Sequence, residues 1–327
     1  MIILLAVVAV VSLGLGKYHV PLPDIYRCLI DGICGGSSGG GQGDMAHNLI
    51  FSIRLPRIIA AMLVGASLAL SGAAFQALFV NPLVSPGLLG VLSGASFGAI
   101  LAMIFSKNWV TVQTASVCGG FLAVGVAVLI ARFYRAGSTI MLVLGGIISG
   151  AFFTSLVSIL KYLADPYNQL PAIVYWLMGN LAAADRHTVW VIGLPMVCGM
   201  LVLASLGKHL NILSMGNEEA RSMGMNVPLV RGLVIFCATG ISALTIALAG
   251  NIGWVGLIIP HIARLLVGPN NEILLPVSAL LGAVYLVIVD DIARLAFSYE
   301  IPLGIITSLL GIPFFVFVLR NARKGWQ

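Results

Sequence analysis

The residue types that usually perform chemistry are sparse in this chain, and their spacing matches no common catalytic or metal site. The five histidines show neither HxxxH nor HExxH spacing, which argues against a metal centre. Gly16-Lys17 does not end a phosphate-binding loop, because Val11 stands where the first glycine is needed and Tyr18 where Ser or Thr is needed. No nucleophile–base pair is evident. The chain is therefore predicted not to be an enzyme and to bind no metal or cofactor itself.

Ionisable side chains avoid the middle of the apolar stretches. Asp290, Asp291 and Arg294 stand at the end of one such stretch, and Glu300 opens the next. Ion- and proton-coupled carriers usually need an ionisable group inside the membrane, where it is costly and persists for function. An ion-coupled secondary transporter for a small solute is therefore the alternative interpretation, not the preferred one.

Composition places the chain in a membrane. Of its 327 residues 60% are hydrophobic and 9% are charged, whereas soluble domains carry about 25% charged residues. The 38 glycines suit close packing of helices in lipid. The net charge of +6 falls mostly in loops, so nucleic acid is not an expected partner.

Apolar runs predict an all-α polytopic membrane protein with about ten spans, in a single transmembrane domain over residues 1–327. The run 252–267 is short and contains Pro260, so we expect a half-length or broken helix there. The predicted runs are 1–17, 55–79, 87–105, 109–131, 138–162, 188–207, 229–249, 252–267, 273–292 and 301–319.

The longest segment between runs, about 17–48, is Gly-rich and is expected to be an external loop. Cys28 and Cys34 within it could pair or remain free small hydrophobes, and the sequence leaves both open. Lys and Arg divide almost equally between the two sides, so the positive-inside rule decides little. The cluster Arg320, Arg323 and Lys324 favours an inside carboxyl terminus, and the many outside arginines call for an explanation.

One polar segment, about 208–228, reads like a piece of a soluble protein between two apolar runs. Asn217 is a candidate helix cap, with Glu218 and Glu219 in the first turn, where the helix dipole favours negative charge. Gly224 can end the helix in the left-handed conformation. We expect a helix of about two turns that docks another protein; the alternative is a plain solvated loop.

Five segments in order resemble the FecCD-like permeases of type II ABC importers, a group that includes ferric-siderophore, haem and cobalamin permeases. The resemblance runs from about residue 50 to the carboxyl end. The segments are Arg54-Leu-Pro-Arg57, Gly65 to Gln76, Asn81 to Gly90, Ile252 to His261 and Glu300-Ile-Pro-Leu-Gly304.

This resemblance implies a type II importer permease fold of ten helices per chain in a bacterial or archaeal inner membrane. The expected partners are a second permease copy, most simply a homodimer, two ATPase subunits that bind ATP and Mg, and a periplasmic or extracellular binding protein. The implied cargo is an iron chelate, haem or cobalamin, with iron chelates preferred.

The resemblance also assigns roles to residues. Arg54, Arg57 and Arg294 match external arginines that meet glutamates on the binding protein; the alternatives are snorkelling arginines or an internal Asp291–Arg294 pair. The 208–228 segment occupies the position of the helix that couples to the ATPase. The coupling residues are Met215, Gly216, Asn217, Glu218, Glu219, Ala220, Arg221, Met223 and Gly224.

One further role follows from the same resemblance, and another follows from helix periodicity alone. Asn81 and Leu83, with Ser138 and Thr139, match cytoplasmic gates on a dimer axis; the alternative is ordinary turn and cap chemistry. Ser155 and Ser158 share a helix face and could line the transport path, or could bond back to carbonyls one turn earlier.

Overall fold

The computed structural model describes residues 1–16, 18, 20, 21, 47–106, 108–133 and 139–322. Within them the regular structure is helical. Cys28, Cys34 and Ser138 lie outside the described residues, as does nearly all of the Gly-rich loop.

Thirteen α-helices follow one another in the described part of the chain, with a π-helical stretch at Leu49–Arg54 and a 3-10 turn at Pro86–Leu89. They are α1 (Ile2–Gly14), α2 (Leu55–Phe79), α3 (Val91–Phe105), α4 (Trp109–Phe133), α5 (Thr139–Leu163), α6 (Gln169–Leu177), α7 (Arg186–Ser205), α8 (Gly207–Met215), α9 (Asn217–Ser222), α10 (Val227–Ala249), α11 (Val255–Val267), α12 (Asn271–Leu295) and α13 (Leu303–Ala322).

Each predicted apolar run coincides with one apolar helix, but not all of these helices are long. Six helical segments are long and apolar enough to cross a membrane, and each contains one of the helices α2, α4, α5, α7, α10 and α12. The other four, α1, α3, α11 and α13, are shorter apolar helices. The structure thus shows a polytopic helical membrane protein, whereas the count of ten spans stays a prediction.

Helix α2 is the central element, with most of its surface covered by other helices. Glycines allow this closeness: a Cβ on Gly65 would lie 2.1 Å from the carbonyl oxygen of Gly282, and one on Gly72 would lie 1.9 Å from that of Gly256. The backbones of α12 and α11 therefore rest directly on α2, the close approach that small residues permit in lipid. Gly65 and Gly72 therefore serve helix packing.

The short helix α11 starts at a break in the chain. Gly250 (φ +70°) ends α10, and Trp254 (φ +69°) precedes α11. Pro260 lies inside the helix, so the break predicted near it falls instead before Val255.

The non-helical stretches beside this break hold one another by backbone hydrogen bonds. The N–H of Asn180 donates to Ala249 O at 2.9 Å, and the N–H of Leu303 donates to Gly179 O at 2.8 Å. These bonds satisfy polar backbone groups where no regular helix can do so, a requirement inside a membrane protein. They join the end of α6, the end of α10 and the start of α13.

Candidate functional site

Helix direction brings three candidate arginines to one end of the bundle. The amino end of α2 carries Arg54 and Arg57, and the antiparallel α12 ends with Asp290, Asp291 and Arg294. The start of α13 and the end of α1 pack beside them. We call this the ion-pair end, formed by Ser12, Arg54, Arg57, Asp290, Asp291, Arg294 and Glu300.

Two carboxylates hold the guanidinium of Arg57. Its Nε and Nη2 donate to Asp290 at 2.9–3.1 Å, and its Nη1 and Nη2 each donate to Glu300 at 3.0 Å. Both contacts are bidentate, the strongest geometry for this pair of groups. Asp290 is 1% exposed and the side chain of Glu300 is 35% exposed, so one carboxylate lies in the interior and the other lies near the surface.

Arg294 and Arg54 complete the network. Arg294 lies 3.2 Å (Nε to Oδ2) from Asp290 and forms a second ion pair with Asp291. Asp291 also accepts a hydrogen bond of 2.7 Å from the hydroxyl of Ser12 in α1. Arg54 donates to the carbonyl oxygens of Leu13 and Tyr18.

The ion-pair end is therefore balanced, with three arginines and three carboxylates. In this conformation none of the three arginines presents a free guanidinium, and Glu300 is the most exposed acid. The internal Asp291–Arg294 pair named as an alternative is present. Docking of a binding protein by Arg54, Arg57 and Arg294 stays a prediction.

Sequence reasoning missed the pairing of Arg57 with Asp290 and Glu300. The partners stand 233 and 243 residues away along the chain, so no local pattern links them. The i,i+4 spacing of Asp290 and Arg294 at a helix end was the one available signal.

The predicted coupling segment forms two short helices at the opposite end of the bundle. Helix α8 ends at Met215, and the single residue Gly216 (φ +131°) separates it from α9. Gly216, not Asn217, is therefore the cap of α9: its φ is one that only glycine adopts readily, so the helix begins one residue earlier than predicted. Asn217 instead accepts a 3.1 Å hydrogen bond from Nη2 of Arg231. The left-handed Gly224 (φ +78°) is confirmed.

Helix α9 is anchored on one face and exposed on the other. Ala220 is completely buried, while the side chains of Glu218 and Arg221 are 85% and 60% exposed and lie 3.4 Å apart. Met215 and Met223 are also mostly exposed on either side of α9. A short charged helix flanked by exposed methionines is a suitable protein-docking surface, and we call it the coupling surface.

The candidate gate residues lie next to a strained turn. Val80 has φ +48°, which is unfavourable for a β-branched residue. The N–H of Asn81 donates to Gln76 O at 3.0 Å, and the Asn81 side chain accepts from the N–H of Leu83 at 2.9 Å. The turn chemistry named as an alternative is thus present, and the gating role of exposed Asn81 and Leu83 stays a prediction. Thr139 is the first residue of α5.

Both candidate pathway serines bond back to their own helix. The hydroxyl of Ser155 donates to Ala151 O at 3.0 Å, and that of Ser158 donates to Thr154 O at 3.1 Å. Both residues are exposed on α5. Their position on an open face leaves their role in a transport path a prediction.

Comparison with known proteins gives a consistent result. The family model described as the FecCD transport family matches residues 4–321. The molybdate import system permease protein MolB of Haemophilus influenzae is 39% identical over 323 residues, which is 99% of this chain and 95% of the relative. The vitamin B12 import system permease protein BtuC of Salmonella arizonae is 36% identical over 298 residues, 89% of this chain and 90% of the relative.

A solved structure agrees with these sequence matches. It is described as an inward-facing conformation of a metal-chelate type ABC transporter, and it is 38% identical in sequence. It superposes with a TM-score of 0.86 over 98% of this chain and 97% of the other. The similarity therefore extends over nearly all of the helices described above.

Proposed function

The chain belongs to the FecCD transport family, and from that premise we propose that it is the membrane permease subunit of an ATP-driven importer. It lies in the cytoplasmic (inner) membrane of a bacterium or archaeon. Two copies form the pathway, and two separate ATPase subunits bind ATP and Mg. A periplasmic or extracellular binding protein delivers the cargo to the ion-pair end.

The observation that carries this proposal is the coupling surface. Helix α9 is fixed in place by the buried Ala220. The rest of this chain leaves the side chains of Glu218, Arg221 and Met223 exposed. Such a surface, on a chain with no predicted phosphate-binding loop, fits transfer of work from a separate ATPase.

The matching experiment reconstitutes the permease with its ATPase. We expect Glu218→Lys and Met223→Asp together to weaken ATPase association at least tenfold, a loss of about 1.4 kcal/mol, and to abolish ATP-driven uptake. Glu272→Gln, an exposed acid on α12 at the same end of the bundle, is the matched control. Unchanged association in the double variant would contradict the proposed docking surface.

The cargo is proposed to be an iron chelate, haem or cobalamin, with iron chelates preferred. Relatives widen this range, because one is named for molybdate, an oxyanion, and another for vitamin B12. The exposed hydroxyls of Ser155 and Ser158 offer weak, uncharged contacts that suit loose passage rather than tight selection. Uptake assays with the cognate binding protein and each cargo decide among them.

The alternative, an ion-coupled carrier, has one structural argument in its favour. Asp290 is a buried carboxylate near the end of a membrane-spanning helix, and such groups often carry coupling ions. Here, however, Asp290 is paired with the guanidinium groups of Arg57 and Arg294, which fill the place that a coupling ion would need. In proteoliposomes without ATPase subunits, uptake driven by a proton or sodium gradient would favour the carrier; uptake that needs ATP and the ATPase supports the importer.

A further inference from the structure

A cavity of about 840 Å³ opens between α4 and α10 next to the coupling surface. Its walls are the second half of α4 and the first half of α10, two helices that pack together. Apolar side chains form most of the lining, including Phe121, Val124, Val128 and Phe236. The rings of Phe121 and Phe236 lie 5.1 Å apart, on the part of each helix farther from the coupling surface.

Arginines line the part of the cavity nearest the coupling surface. Arg132 stands at the end of α4, Arg231 at the start of α10 and Arg221 on α9. None of the residues that line the cavity is acidic. The sequence directly after α4 adds Arg135 and no acid before α5. We call these three lining arginines and the apolar walls the basic slot.

Nearby acids do not neutralise the basic slot. Glu218 pairs with Arg221 at 3.4 Å, but both side chains are mostly exposed, so this pair is weak. The carboxylate of Glu219 lies against Gly216 at the start of its own helix. Arg231 donates to the neutral Asn217, and its Nε is buried with no hydrogen-bond partner. A buried donor without a partner is costly, so a ligand oxygen is its natural complement.

We propose that the basic slot binds one anionic phospholipid, with an acyl chain between α4 and α10 and the phosphate at Arg132, Arg221 and Arg231. Basic pockets between membrane helices on the cytoplasmic side suit such head groups, and guanidinium groups bind phosphate oxygens through paired N–H donors. A free anion would gain nothing from the apolar walls. Placing this end on the cytoplasmic side rests on the proposed function; the lipid chemistry does not.

The site has a consequence for coupling, because Asn217 and Arg221, both in α9 of the coupling surface, also line the cavity. A bound phosphate would hold α9 against α10 through Arg221 and Arg231. Lipid composition would then influence how firmly the docking helix is placed.

The binding test uses the purified permease alone, so its failure is distinguishable from failure of ATPase docking. The chain is exchanged from detergent into vesicles of phosphatidylcholine that contain a minor fraction of spin-labelled phosphatidylglycerol, and the immobilised lipid is counted. We expect Arg132→Gln with Arg231→Gln to reduce phosphatidylglycerol affinity roughly tenfold or more, because two charges are removed. Lys208→Gln, an exposed cation in α8 outside the basic slot, is the control and should bind normally.

A second pair of variants separates lipid from free phosphate. Both Gly125 and Gly232 line the cavity, and a Cβ at either position meets no heavy atom within 4 Å, so we expect leucines there to occupy the slot while every arginine is retained. We expect Gly125→Leu with Gly232→Leu to abolish phosphatidylglycerol binding. Inorganic phosphate that competes fully with the lipid, or lipid binding that survives in both double variants, would overturn the proposal. Equal binding of phosphatidylcholine by the unmodified chain would also overturn it.

Discussion

Asp290 lies between two guanidinium groups, and replacing it should destabilise the fold because it leaves buried positive charge without a partner. Asp290→Asn leaves Arg57 and Arg294 without their shared buried partner, and breaking a buried pair in this way costs about 3–5 kcal/mol. Glu300→Gln removes only the partly exposed partner of Arg57, so we expect a loss of about 1 kcal/mol or less. Thermal unfolding of the purified permease compares the two, and equal shifts in Tm would contradict this ranking.

Asp185, which lies outside the membrane spans, makes a pH-dependent contribution to the stability of the folded chain. Its side chain caps α7, and hydrogen bonds from Thr188, and then from the backbone of His187, lower the pKa of this carboxyl. A lowered pKa in the folded state means that the stabilisation is present above the unfolded pKa of about 3.9. It is lost as the pH falls through the folded pKa.

Asp185→Ala should therefore cost about 1 kcal/mol at neutral pH, the usual cost of losing a helix cap. The difference in Tm between the unmodified chain and the variant should shrink as the pH is lowered below about 4. Asp165→Ala is a useful comparison, because Asp165 also accepts local hydrogen bonds but caps no long helix. A difference that stays constant on acidification would show that the cap carries no charge-dependent stability, and one that grows would contradict the lowered pKa.

Helices α2 and α11 meet at a glycine, which makes their contact sensitive to a single methyl group. A Cβ on Gly72 would lie 1.9 Å from the Gly256 carbonyl oxygen, so Gly72→Ala should force the helices apart at a cost of about 1–3 kcal/mol. Gly125→Ala has open space and should be neutral or slightly stabilising, since alanine favours helix by about 0.5–1 kcal/mol. Tm values of the two variants check this, and a harmless Gly72→Ala would contradict the close contact.

Most helices can be predicted from composition and local chemistry, because a segment that crosses the hydrocarbon core must be apolar and must satisfy its own backbone hydrogen bonds. The runs 55–79 and 229–249 predict the cores of α2 and α10 closely, and the polar segment around Glu218 predicts α9. Gly224 adopts the left-handed conformation that its type suggests.

What the sequence could not show is pairing between distant elements. Arg57 finds its carboxylates more than 230 residues away, and the basic slot joins Arg132 with Arg231 across two helices. Hydrophobic periodicity says which residues enter lipid or core, not which polar side chains meet there. The cap of α9 at Gly216 also depends on a backbone angle that no residue pattern specifies uniquely.

At the scale of the molecule, α2 runs from the ion-pair end towards the end of the bundle that carries the coupling surface. Arg57 is held in the ion-pair network, and Gln76 accepts a 3.0 Å hydrogen bond from Arg264 near the coupling end. These two residues stand about 28 Å apart along the helix, at 1.5 Å per residue. A closely packed helix anchored at both ends can transmit movement as a rigid body.

If nucleotide on an ATPase docked at the coupling surface and a binding protein at the opposite end favour different states of one permease, their affinities must be linked reciprocally. In nanodiscs with ATPase present, we expect a non-hydrolysable ATP analogue to change binding-protein affinity about 5–150-fold, the usual range of such coupling. Glu218→Lys with Met223→Asp should remove this nucleotide effect and leave nucleotide-free affinity unchanged, because these side chains lie far from Arg57 and Glu300. Glu272→Gln should retain the full effect. A nucleotide effect that persists in the double variant would mean that work enters the permease elsewhere.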